Sequence, residues 1–325
     1  MVLLKRRLKL LKSVGMLCLG AVLMNTMQLV KDSFKPNDNV MRDFDLYQEN
    51  EGQALVEIDE TKDRCSPAKG KMPLDLKYPP KMYGGIRPGG LWTPNCTHGL
   101  REKVAVLVPY RDRKENLKIF LNHMHPFLQH QQIDYGVYII EQGNTKNFNR
   151  GKLFNVGVVE VLKLEPDVNC FILHDIDKLP ETLDNVYTCK DSPKHLMGKQ
   201  HNLDEDTYTS GIHYHGYFGG VTAVSKLHYY MANGFSNNYW GWGKEDDEFW
   251  LRMQVKRINI HYSYDSDNAE YVILPHQNDT IKHSQDVPQF RILEKTLSLN
   301  GINTLQYTMR KIIKEPLFTR FDVWI

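Results

Sequence analysis

Apolar residues are spread through the chain in two distinct rhythms, and from about Lys103 onward those rhythms alternate. Val104 to Val108 is an unbroken apolar run ending at Pro109, too short for a buried helix and without the alternation of a half-solvated strand, so it predicts a strand covered on both faces. Leu117, Phe120, Leu121, Met124 and Leu128 then recur at three- and four-residue spacing, the stripe of an amphipathic helix. Tyr135 to Ile140 predicts a second buried strand, Leu153 to Leu162 a second helix, and Cys170 to Leu173 a third strand. The order β-α-β-α-β predicts the opening of an α/β fold with a mostly parallel, doubly wound sheet, in which ligands sit at the carboxyl ends of the strands. Polar residues directly after a strand are therefore the candidates for chemistry.

The N-terminal part follows neither rhythm. Lys5, Arg6, Arg7, Lys9 and Lys12 precede an uncharged, largely apolar stretch from Ser13 to Val30. Extended by Leu8, Leu10 and Leu11, that stretch is long enough for a helix to cross a bilayer, with its cationic end held in the cytoplasm. The rival reading is a cleaved secretory signal, but Ala21 to Gln28 offers no good small-x-small cleavage site. Either way the remainder is luminal. The expected organisation is a cytoplasmic tail over 1–12, a transmembrane signal anchor over 13–30, a luminal stem over 31–95 and a catalytic domain over 96–325. Within the stem, residues 31–62 are polar and aperiodic, and 67–94 are rich in Pro, Gly and Lys, reading as irregular extended chain.

Composition adds bounds. Of 325 residues 41% are hydrophobic and 25% charged, and Lys plus Arg against Asp plus Glu stands at 41 to 39; disorder throughout is excluded, and there is no global attraction to nucleic acid. Cys18 falls in the apolar span, leaving Cys65, Cys96, Cys170 and Cys189 in an oxidising compartment, where three pairings are open. Sequence neighbours suggest Cys65 with Cys96 and Cys170 with Cys189; four buried thiols is the alternative. Asn95-Cys96-Thr97 and Asn278-Asp279-Thr280 are glycosylation sequons.

Three polar clusters carry candidate chemistry. After the first strand comes Pro109-Tyr110-Arg111-Asp112-Arg113, and after the third His174-Asp175-Ile176-Asp177. An Asp-x-Asp at a strand end offers carboxylate oxygens suited to Mn²⁺ or Mg²⁺, an ion able to neutralise a leaving diphosphate. No Gly-x-Gly-x-x-Gly follows the first strand, which argues against a dinucleotide enzyme. The most informative stretch is Asn237-Asn238-Tyr239-Trp240-Gly241-Trp242-Gly243-Lys244-Glu245-Asp246-Asp247-Glu248. Glycines on both sides of Trp242 permit a hinge, so this stretch predicts a mobile lid bearing an aromatic platform. The acidic run then opens a helix continued by Phe249, Leu251 and Met253, at whose N-terminus carboxylates stay ionised more easily. An ionised carboxylate beside a sugar hydroxyl is a general base. An acidic helix cap would explain the carboxylates but not the Trp-Gly-Trp-Gly.

These clusters, together with Phe148-Asn149-Arg150, Tyr217-Phe218-Gly219-Gly220 and Ile281-Lys282-His283-Ser284, stand in an order that resembles the animal β-1,4-galactosyltransferase family over roughly Cys96 to Tyr307. The resemblance implies a GT-A nucleotide-sugar transferase fold with a Rossmann-like sheet, inversion at the anomeric carbon, Mn²⁺ as cofactor, UDP-galactose as donor, a glycan as acceptor and residence in the Golgi membrane. It implies that Asp177 and His283 ligate the metal and that Asp246 is the base, with Glu245 and Asp247 placing donor and acceptor. Pro109, Tyr110, Arg111, Asp112, Arg113, Phe148, Asn149, Arg150 and Ile176 would hold the nucleotide, Tyr217 would meet the sugar, and Trp242 would close over the donor. Gly243, Lys244, Glu245, Asp246 and Phe290 would meet the acceptor. The likeness also supports the two disulfide pairings. On local sequence alone, Phe148-Asn149-Arg150 reads as an ordinary helix start.

One position departs from the family pattern. A Met usually stands three residues before the metal-binding His; before His283 that position is Thr280, a harder and poorer side-chain ligand, and it completes a sequon at Asn278. His276 is the alternative ligand. Asp247-Glu248-Phe249 resembles a branch that modifies xylose, although that branch's second metal-site His is Gln285 here; terminal N-acetylglucosamine is the favoured acceptor. The competing readings are an N-acetylgalactosaminyltransferase and an inactive sugar-binding luminal protein.

Overall fold

The computed structural model describes residues 67–72, 74, 84–95, 102–189, 191–205, 207–263, 268–275 and 286–325. The expected membrane span, the stem up to residue 66, Cys65, Cys96, His276, Asn278, Thr280 and His283 lie outside the described residues. Among the described residues no helix is long and apolar enough to cross a membrane.

The apolar run becomes strand β2 (Lys103–Tyr110), buried from Val104 onward. Strands β3 (Asp134–Gln142) and β4 (Cys170–His174) lie parallel on either side of it. Helices α1 (Lys114–His130) and α2 (Arg150–Leu164) make the two crossovers and cover opposite faces. Val104, Val106 and Val108 pack with Phe120, Met124 and Phe127 of α1, whereas Ala105 and Leu107 pack with Leu153, Phe154 and Val158 of α2. Each fully buried side chain of this size contributes about 1.5–3 kcal/mol. Because both faces need apolar cover, the strand cannot alternate with polar residues, which is the pattern its sequence shows. The first strand lies between the second and third, so the chain leaves β2 and β4 in opposite directions and opens a crevice beyond their carboxyl ends.

Around this parallel centre the sheet is mixed, which corrects the expectation of a mostly parallel one. β9 (Val221–Ser225) pairs antiparallel with β4, followed by β6 (Lys194–His195) and β10 (His261–Tyr262). On the other side β13 (Thr319–Trp324) runs parallel to β3, and β12 (Thr308–Lys314) antiparallel to β13. Parallel pairing needs a long crossover; the short turn between β12 and β13 permits only an antiparallel hairpin. A second, smaller sheet has the order β5 (Lys178–Pro180), β11 (Glu270–Ile273), β7 (Lys199–Asn202), β8 (Thr209–Ser210). Its strands are short, two to four residues each, and too brief to show a period. The remaining helices are α3 (Lys226–Met231), α4 (Glu245–Val255) and α5 (Phe290–Thr296).

The Pro/Gly-rich segment assigned to the stem is built onto the body where it is described. The Ala68 amide donates to the His130 carbonyl at 2.9 Å and that of Met72 to Glu181 at 2.7 Å. Strand β1 (Leu91–Trp92) pairs with β3, and at Gly90, φ +71°, any Cβ would stand 2.2 Å from the Leu317 carbonyl oxygen. Extended chain of this composition has no period to reveal docking, since its contacts are made by scattered residues and by backbone. Cys170 and Cys189 form a disulfide, and Asn95 is exposed.

Candidate active site

The crevice beyond β2 is edged by the residues expected there. Pro109 and Tyr110 finish the strand, Asp112 adopts φ 52°, and Arg113 is the residue before α1. The Arg111 guanidinium donates to the Lys146 carbonyl at 2.7 Å and lies 5.3 Å from the centre of the Phe148 ring. The loop between β3 and α2 is held from beneath by Gln142, which donates to the carbonyls of Lys146 and Asn147 and accepts from the Asn149 amide, each at 3.1 Å. Gln142 was not singled out from sequence, and a lone buried glutamine at a strand end gives no signal that could have done so. Asn149 caps α2, accepting from the Lys152 amide at 2.9 Å, as a helix N-cap should; it also donates to the Asn237 carbonyl at 2.9 Å. Phe148-Asn149-Arg150 is thus both a helix start and part of the site.

Arg150 joins the crevice to the acidic run. Its Nε donates to Asp175 Oδ1 at 2.6 Å and its Nη1 to Glu245 Oε1 at 3.3 Å. Asp175 is thereby paired with an arginine. Asp177 is buried, with Lys178 Nζ at 3.7 Å, and Ile176 is buried in the core beside it. The Leu274 amide donates to the Asp177 carbonyl at 2.8 Å. Among the described residues there is no group of three His, Cys, Asp or Glu that could hold a metal ion. The Asp177 carboxylate, buried and hard, is of the kind that suits a divalent cation.

The four consecutive acids are sorted by helix geometry. Glu245 and Asp246 are both 8% exposed and face the crevice. Asp247 accepts from the Tyr214 hydroxyl at 2.7 Å. Glu248 turns inward to Arg252, at 2.9 Å and 2.7 Å, and is structural. Burial pushes the Asp246 carboxyl up to about 8, the neighbouring charge of Glu245 adds to this, and Arg150 opposes it. Glu245 is raised for the same first reason, again opposed by Arg150, and its Oε2 is buried without a hydrogen bond. This corrects the expectation from the helix N-terminus: the dipole offers about 0.3–1 kcal/mol, and desolvation outweighs it. A carboxylate made strongly basic by burial is a better proton acceptor, and so a better general base.

Tyr217 faces Asp246 across Gly219. A Cβ at Gly219 would stand 2.5 Å from Asp246 Oδ2 and 3.0 Å from the Tyr217 hydroxyl oxygen, so only glycine lets the two groups lean together. Burial and then the charges of Asp246 and Asp175 raise the Tyr217 phenol, keeping it protonated. The rings of Tyr214 and His213 meet Tyr217 edge-on at 5.4 and 4.8 Å. Trp242 is 65% exposed between Gly241 (φ 96°) and Gly243 (φ 101°), followed by Lys244 at φ 72°. Trp242 takes part in a β-bridge, and the residues on both sides of it use the left-handed backbone region. Lys244 is ion-paired with Asp286, and Phe290, 43% exposed, begins α5, which packs against α4.

Comparisons with known proteins show the family. The family model described as the N-terminal region of glycosyl transferase group 7 matches residues 69–190, and that described as the N-terminal domain of galactosyltransferase matches residues 201–277. β-1,4-galactosyltransferase 4 of Cricetulus griseus is 41% identical over 238 residues, covering 72% of this chain and 67% of the relative. β-1,4-galactosyltransferase 1 of Bos taurus is 37% identical over 266 residues, covering 78% and 61%. This chain thus spans about two thirds of the length of those relatives. Among solved structures, the catalytic domain of Drosophila β-1,4-galactosyltransferase 7 in complex with xylobiose has a TM-score of 0.57 at 27% identity, covering 69% of this chain and 94% of that one. A mutant of the same Drosophila enzyme, in complex with manganese, UDP-Gal and xylobiose, matches equally well. With the matched segments spanning both the nucleotide-edge residues and the acidic helix, this chain belongs to the β-1,4-galactosyltransferase family.

Proposed function

We propose that the chain transfers galactose from UDP-galactose, with Mn²⁺, in β-1,4 linkage to a glycan ending in N-acetylglucosamine, and that it does so in the Golgi lumen, held by an N-terminal signal anchor. The observation that carries the reading is the meeting of Asp246 and Tyr217 over Gly219, a basic carboxylate and a donor-side phenol at one point. In this reading Asp246 accepts the proton from the acceptor hydroxyl as that oxygen attacks the anomeric carbon. Arg150 pairs with Glu245 and Asp175 beside it. Arg111, Arg113 and Phe148 hold the nucleotide, and Trp242 closes over the donor to exclude water. Asp177 would hold the metal with His283 or His276; when bound, the ion neutralises charge on the departing diphosphate.

A second acceptor is favoured by one observation, the xylobiose held by the Drosophila relative. UDP release measured with Mn²⁺ and parallel N-acetylglucosamine and xyloside acceptors decides between them, and absence of UDP release with either would remove the transferase reading in favour of a sugar-binding protein. The same assay tests the metal site. Asp177→Ala and His283→Ala each raise the Mn²⁺ concentration needed for activity, while His276→Ala leaves it unchanged; a rise confined to His276→Ala would transfer the ligand role to that residue.

Donor choice rests on Tyr217. The phenol fills space beside the donor C2 that an acetamido group needs, so the wild type prefers UDP-galactose and Tyr217→Leu admits UDP-N-acetylgalactosamine. A steric block of this kind is worth about 1–3 kcal/mol, and the ratio of initial rates with the two donors shifts by roughly ten-fold or more. A wild-type preference for the N-acetylated donor contradicts the assignment.

A further inference from the structure

The lid has a root as well as a tip. Trp240 is half-buried, unlike Trp242, and packs against the second core cluster. Its ring has two ammonium groups over it, Lys146 Nζ at 5.4 Å and Lys152 Nζ at 5.5 Å from the centroid. The next residue, Gly241, donates its amide to the Phe148 carbonyl at 2.7 Å. All three contacts come from one stretch, residues 146–152, which carries the β3–α2 loop and the first turn of α2. That stretch is tied to the nucleotide edge by Arg111, through the Lys146 carbonyl and the Phe148 ring. Lys146 Nζ also donates to the Ile325 carbonyl at 3.0 Å.

Beyond Gly241, Trp242 takes part in a β-bridge, a Cβ at Gly243 would meet nothing within 4 Å, and Lys244 is ion-paired with Asp286. The Trp242 ring, 65% exposed, stands between these points. Two like charges brought to one ring repel each other, and Lys152 loses basicity through burial and the nearness of Lys146. The Ile325 carbonyl helps to hold Lys146, and the ring attracts both cations, as the face of a tryptophan does.

We infer that Lys146 and Lys152 are positioning residues that clamp Trp240 and so fix the root on which the Trp242 lid turns, coupling it to the loop that grips the nucleotide. The inference rests on the lid reading given above for Trp242. Neither lysine touches the reacting atoms, and both act through Trp240.

The test uses the whole protein with Lys152→Met, the Lys146→Met/Lys152→Met pair, and Lys152→Arg. Cation–π attraction at a half-exposed ring corresponds to about two- to five-fold in an equilibrium. Lys152→Met therefore raises the donor KM about two- to five-fold with kcat little changed, the double variant raises it further, and Lys152→Arg restores it because a guanidinium also lies well on an indole face. Hydrogen exchange over residues 238–244 accelerates in the same order, as the Gly241 amide loses its fixed acceptor. Unchanged exchange in the double variant, or a Lys152→Arg protein as impaired as Lys152→Met, overturns the clamp. A wild type without transferase activity would fail the functional reading alone, since the exchange experiment decides the clamp without turnover.

Discussion

Asp246→Asn lowers kcat by about 10² to 10⁴, the usual worth of a positioned general base, and leaves the affinity for UDP-sugar near that of the wild type. The amide keeps the shape and removes the proton acceptor. Glu245 is held by Arg150 and Asp247 by Tyr214, so neither is placed to substitute. Stability separates this result from misfolding. The Asp246 carboxyl is raised to about 8 in the fold, above its unfolded value; for such a group the stability contribution is full below the unfolded pKa and is lost as pH rises through about 8. The wild type thus bears a growing burden between about pH 4 and 8, which asparagine does not share. Thermal unfolding at pH 8 shows Asp246→Asn at least as stable as the wild type. Near-normal turnover by this folded variant would take Asp246 out of the catalytic role.

Arg150→Met has the second large effect, and it acts on stability and pH profile together. The guanidinium lies between Asp175 and Glu245, and all three side chains are largely buried. Removing one partner of a buried ion pair costs about 3–5 kcal/mol, because the remaining charges are left without compensation. Urea unfolding at pH 8 shows a loss of that order. At lower pH the loss is smaller, since Glu245, raised by burial, no longer needs the cation once protonated. Arg150 is also what pulls Asp246 and Glu245 down, so in its absence both rise further and the acid limb of kcat/KM moves to higher pH. An acid limb that stays in place, in a protein that remains folded, means that Arg150 does not set the base.

What could be read from the sequence was what repeats or stands close together. The five apolar residues of β2 announced a strand between two layers because alternate residues feed opposite cores, and the stripe of α1 announced its packed face. The Asp-Ile-Asp stood out because it follows a strand. What escaped was made at a distance. Arg150 meets Asp175 across 25 residues and Glu245 across 95, and nothing at position 150 points to either. Residue spacing alone therefore could not show that Asp175 pairs with an arginine; only the family resemblance singled out Asp177. The raised carboxyl of Asp246 also depends on burial by Gly219 and Tyr217, which no helix-terminus argument contains. The short strands of the second sheet carry no period, yet β5 and β11 are what fix Asp177 in place.

The strand that closes the centre of the sheet has a bearing on how the protein is made. β3 has β2 on one edge, and its other edge is covered by β13, with Arg320 reaching Glu141 across 179 residues. Contacts of such sequence separation form late, after a large loss of chain entropy. During synthesis the β2–β3–β4 unit can assemble while the second edge of β3, buried and apolar from Tyr138 to Ile140, still has no partner. An open, flat apolar edge is where chains pair wrongly with one another. The yield of folded protein is thus set by how long that edge waits for its last strand, and substitutions in Thr319–Trp324 lower that yield before they affect any property of the finished enzyme.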